Sequence, residues 1–138
     1  MNQLNTLADE RAAHFLQKLF TDLFNPRDEL SIVVDEYMTD DYVQLVDGKT
    51  LNNSQFKQHL EALLDSVESI SATLESVIAS GNTIADIHII DAIKKDGSAV
   101  KAKVIAFFYL RGGKVAKVDE LTYIIEGNSA DKDMGSRY

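Results

Sequence analysis

The chain has 138 residues, 45% of them hydrophobic and 26% charged, with a formal net charge of -8 and no cysteine. That length suits one domain, 1–138, able to bury about 68–70% of its unfolded surface. The acidic balance repels phosphate backbones and anionic lipid, so no nucleic acid and no membrane partner is expected, and the missing thiols exclude disulfides, a thiolate nucleophile and zinc–thiolate sites.

Residues 1–14, MNQLNTLADERAAH, contain no apolar stretch of signal-peptide type. The longest apolar run, Val104–Leu110, is far short of the roughly 20 residues that span a bilayer. A cytoplasmic protein is the expectation. Thr6 can cap a first helix, with Asp9 and Glu10 well placed in its first turn. Ala12, Phe15, Leu16, Leu19, Phe20 and Leu23 recur at helical spacing as one apolar face. Asn25-Pro26 ends that helix and can open a second, since proline suits a first helical position. The second helix carries Leu30, Val33, Val34 and Tyr37 until Asp40-Asp41 breaks it.

Tyr42–Val46 is a short β-rich run closed by the turn signal Asp47-Gly48. A third helix follows from about Asn53, with Phe56, Leu60, Leu63, Leu64 and Val67 as its stripe. From Ile70 the period changes to two. Strands are predicted over Ile70–Ser80, Thr83–Lys94, Ala99–Leu110 and Val115–Ile125, joined at Gly81-Asn82, Asp96-Gly97 and Gly112-Gly113. Short turns make them an antiparallel meander, and strands of this length must twist and coil. One face of the third meander strand is apolar throughout. The other turns apolar at Ile105, Phe107 and Tyr109, so something, often another subunit, should cover it. The fold class is therefore α+β: a curved four-stranded antiparallel meander plus a short strand, packed on three N-terminal helices. The polar tail 126–138 is expected to drape on the surface.

This order of elements resembles the nuclear transport factor two-like superfamily, and within it the SnoaL-like subgroup. The supporting segments are Asp40–Gly48, Phe56–His59, Gly113–Val115 with Asp119–Thr122, and the tail 131–137. The resemblance implies a cone-shaped barrel, a pocket between sheet and helices, and a homodimer through the sheet. Relatives include ketosteroid isomerase, polyketide cyclases, dehydratases and binding modules, so fold does not choose among them. The isomerase places a tyrosine on its first helix and a protonated acid on a late strand. Alignment puts Phe20 and Ala106 at those positions, and neither donates a hydrogen bond. Asp47 falls near the position of the isomerase base. Some members have histidine where Leu45 stands.

Glu120 is the sharpest candidate for chemistry. Strand alternation puts it in an apolar stripe with Ala116, Val118, Thr122 and Ile124. Desolvation there raises a carboxylate's pKa and tunes it as a general acid or base; a structural carboxylate is the blander alternative. His59 lies on the buried stripe of the third helix, as a partner for Glu120 or as a core histidine. Asp47 is a turn aspartate that the resemblance draws toward the pocket. Phe20, Tyr37, Tyr42, Leu45, Phe56, Phe108 and Thr122 are the candidate ligand-binding residues. His88 and Asp86 share a face with Ile84 and Ile90, as part of a dimer surface or a polar patch. The three histidines lack metal-ligand spacing, and no phosphate loop or nucleophile elbow appears, so neither metal nor cofactor is implied. Three uses stay open. They are a module binding a small hydrophobic molecule, which calls for an enclosed cavity of roughly 300 Å³ or more; a cofactor-free isomerase, cyclase or dehydratase acting on a hydrophobic carbonyl compound; and an interaction protein using its sheet face.

Overall fold

The computed structural model describes residues 6–127; most of the tail expected to drape, residues 128–138, lies outside the described residues. Helix α1 (Leu7–Phe24) starts at the Thr6 cap, where Thr6 and Asp9 bond each other's backbone N–H groups. It buries Ala12, Leu16, Leu19, Phe20 and Leu23, the stripe read from the sequence. The connection then runs past Pro26 without turning helical, and α2 (Leu30–Tyr37) begins only at Leu30. It ends at Tyr37, so Asp40 and Asp41 do not break a helix but lie within strand β1 (Met38–Val46).

Asp47 and Gly48 both take positive φ, 50° and 84°, the left-handed pair of a tight hairpin turn. The turn returns β1 into a strand not anticipated, β2 (Lys49–Asn52). Its four residues are too few and too polar to show a period. Asn52 and Gln55 form a capping box for α3 (Asn53–Ser66). Val67 belongs not to that helix but to β3 (Val67–Ser80), which follows with no loop. Then come β4 (Thr83–Lys94), β5 (Ala99–Arg111) and β6 (Lys114–Glu126).

Among the described residues the sheet therefore has six strands, not five, in the order β2-β1-β6-β5-β4-β3. The meander pairs antiparallel as expected, and β1 adds itself parallel to β6. Extra residues in β3 and β6 shift the register at Leu74/Ser76 and opposite Tyr109/Leu110, and such bulges bend a sheet. The curved inner face packs on the helices, burying Val100, Ala102, Val104, Ala106 and Phe108 of β5 in the core. The outer face leaves Ile105, Phe107, Leu121, Tyr123 and Ile125 exposed. Among the described residues no helix is long and apolar enough to cross a membrane.

Candidate functional site

Between the inner face and the helices lies a cavity of about 120 Å³, the share of about four waters in the liquid. It is smaller than the 300 Å³ set for a free-standing binding module, because Phe20, Phe56 and Phe108 fill much of the cone. Its walls are mainly apolar. The polar exceptions are Tyr42, Gln44, His59, His88, Glu120 and Thr122. A broader depression of about 540 Å³ lies outside, between the second half of α1 and the start of β3, and shares Phe20, Phe24 and Ile70 as its inner wall.

Glu120 reaches the cavity from β6 because its neighbours Val118 and Thr122 face the same way. One of its oxygens accepts from the Gln44 amide, and the Gln44 oxygen accepts from the Tyr42 hydroxyl at 3.2 Å. Burial pushes the Glu120 carboxyl up to about 7, and the negative charges of Asp47 and Asp86 add to that. The charge of His88 and the Gln44 bond pull it back. The Tyr42 hydroxyl is held well above its ordinary pKa by burial and by the Glu120 charge, so it stays a donor. One carboxylate oxygen is thus anchored and the other is left for whatever occupies the cavity.

The remaining candidates divide. His59, from α3, is buried on the same cavity as Glu120. Phe20, Tyr42, Phe56, Phe108 and Thr122 all line it. Asp47 does not. Its Oδ1 accepts from the Thr122 N–H at 2.7 Å and its own N–H donates to the Glu120 carbonyl at 3.1 Å, so it braces the β1–β2 turn against β6. Tyr37 is directed elsewhere: its hydroxyl donates to Asp22, and burial with that carboxylate raises it to about 12. Leu45 has the wrong strand parity. Tyr42 and Gln44 of β1 face inward, so Leu45, one residue on, cannot.

Two features escaped the sequence. Gln44 was not singled out, although it shares parity with Tyr42. Of the two readings of His88 and Asp86, the structure fits the polar patch and not the dimer surface: both are 4% exposed and face inward. His88 Nδ1 lies 2.8 Å from Asp86 Oδ2, and the Phe20 ring packs on the imidazole at 4.5 Å. Among the described residues no cluster of three or more His, Asp or Glu could hold a metal ion.

Comparison with known proteins is consistent with this architecture. The sequence profile of the SnoaL-like domain matches residues 16–118, ending two positions before Glu120. An uncharacterized protein of Schizosaccharomyces pombe, C11D3.04c, is 36% identical over 121 residues, covering 88% of this chain and 90% of its own. Among solved structures, AclR of Streptomyces galilaeus, described as a candidate hydroxylase, superposes with a TM-score of 0.70 at 16% identity, covering 95% of this chain and 88% of its own. A candidate SnoaL-like polyketide cyclase of Jannaschia sp. CCS1 gives 0.68 at 15% identity, with 88% and 91% covered. An NTF2-like protein of Anabaena variabilis gives 0.69 at 17%, with 91% and 97% covered.

Proposed function

We propose, from the premise that the chain belongs to the SnoaL-like domain family, that it binds a small apolar carbonyl compound in the cone and moves a proton on it, Glu120 acting as the base and His59 as a polar partner for the substrate. One observation carries this: a single carboxylate, its pKa raised to about 7, sits in an apolar cavity with one oxygen tethered by Gln44. A base poised near working pH transfers protons most effectively. A carboxylate retained only for packing would have no reason to line a mainly apolar cavity. A solved structure of similar fold carries the description of a SnoaL-like polyketide cyclase.

The test uses cyclohexanone in heavy water, with α-proton exchange followed by NMR. We expect the unaltered chain to catalyse exchange and Glu120→Gln to lose about 10²–10⁴-fold of it. Equal rates for the two chains would remove the proton-transfer reading. Binding of the ketone without exchange would leave only the coarser one, a carrier of small hydrophobic molecules.

The homodimer is proposed with it, formed by the outer sheet face. Ile105, Phe107, Leu121, Tyr123 and Ile125 lie on one side of two neighbouring strands and are all substantially exposed. Monomeric proteins seldom leave so large an apolar patch bare.

A further inference from the structure

Glu120 is not the only buried ionisable group the cavity must accommodate. Strand register sets Asp86, Ala106 and Glu120 side by side in one row across β4, β5 and β6. The two carboxylate-bearing strands are thus roughly 10 Å apart, two strand spacings. The residue between them carries only a methyl group, and Ala106 is 1% exposed. His88 stands one inward position further along β4 and lines the cavity. Asp86 takes its Nδ1, which leaves Nε2 as the ring nitrogen available to cavity contents. His88 is near enough to Glu120 for its charge to favour the carboxylate form.

We infer that His88, oriented by Asp86, is a second proton-handling group facing the same substrate as Glu120, and that the pair suits elimination of water from a small β-hydroxy carbonyl compound. This rests on the proton-transfer reading and adds the substrate class. The Glu120 carboxylate takes the proton from the carbon between carbonyl and carbinol. The electron pair of that C–H bond becomes the C=C bond as the C–O bond breaks. The leaving oxygen takes the Nε2 proton of the His88 imidazolium and departs as water. Passage of the proton from the Glu120 acid to the neutral imidazole restores both groups, with no change of oxidation state overall. A lone carboxylate could return a proton to a neighbouring carbon. It could not be the base for carbon and the acid for oxygen in the same step.

The other ionisable groups around this pair are His59 from α3, Tyr42 from β1, and Asp47, whose charge acts on Glu120; α1 presents Phe20 to the imidazole. Elimination needs ionised Glu120, so it should rise with pH through about 7.

The experiment follows conversion of β-hydroxycyclohexanone to cyclohexenone by absorbance, with α-proton exchange of the same compound measured in parallel. We expect His88→Gln to lower elimination at least tenfold more than exchange. Asp86→Asn, which removes the carboxylate that holds Nδ1, should also lower elimination more than exchange. Exchange without elimination in the unaltered chain, or equal losses of both in His88→Gln, overturns the assignment while leaving Glu120 as a base. If the chain exchanges nothing, the proton-transfer reading fails, and the pair is judged by ¹⁵N NMR of the His88 ring at one fixed pH. Its signals should move in Glu120→Gln. Unmoved signals overturn the pairing whether or not any compound is turned over.

Discussion

On the inner face of β4–β6, Asp86 and His88 are shut away from water and Glu120 is half-buried, whereas on the outer face of the same strands Leu121 and Tyr123 are 66% and 70% exposed. Successive residues supply the two faces, so the polarity expected of a folded sheet is reversed at this spot within single steps of the chain. Hydrophobic burial cannot explain either side. Interior carboxylates cost free energy unless bonded, and here the bonds are few: Glu120 to Gln44, Asp86 to His88. At this spot the inner face holds ionisable groups among apolar ones, and the outer face leaves apolar groups exposed.

The largest disturbance of that contrast should come from the inner wall. Phe108→Ala removes a ring that is 3% exposed and should cost about 3–5 kcal/mol, with the cavity enlarged; denaturant unfolding checks it. The charge on Glu120 comes next. Its pKa is raised from 4.5 to about 7 in the fold, so the fold favours the acid form. The stability this group contributes is fully present below about 4.5 and is lost as pH rises through about 7. Between those limits the loss approaches about 3 kcal/mol. Glu120→Gln should lack that slope; parallel unfolding profiles for the two chains from pH 4.5 to 8 would contradict it. Gln44→Leu then strips a donor from Glu120 and the acceptor of Tyr42, at about 1–3 kcal/mol. ¹³C NMR should find the Glu120 midpoint moved further above 7, because the bond to Gln44 lowers it. The smallest effect on the fold should come from outside. Leu121→Lys should change monomer stability by no more than about 0.5 kcal/mol, yet halve the mass seen by light scattering if the outer face is the dimer surface.

The sequence made one of these faces readable and hid the wiring of the other. Alternation alone set Glu120 among Val118 and Thr122, and the side chains do share the cavity. The same alternation set Asp86 and His88 beside Ile84 and Ile90, but parity names two faces without saying which is inside. Only the register through Ala106 aligns Asp86 with Glu120, and register depends on turn geometry as much as on pattern. Leu45 was misplaced for a local reason. Tyr42 and Leu45 are three apart, and a strand cannot present both to one cavity. β2 escaped because Lys49–Asn52 has a single buried residue, Leu51, and no period to read. Asp47 was recognised as a turn residue but not as the brace that fixes β1 to β6, a bond between groups 75 positions apart.

β6 is the last strand among the described residues, yet it lies inside the sheet, flanked by β1 on one side and β5 on the other. During synthesis the first two strands and the three that follow α3 must therefore wait as separate pieces, each with a raw edge, until residues 114–126 leave the ribosome. Pairings this distant in sequence close slowly. Glu120 rides on that strand, so the acid at the heart of the cone arrives only with the stroke that joins the two pieces.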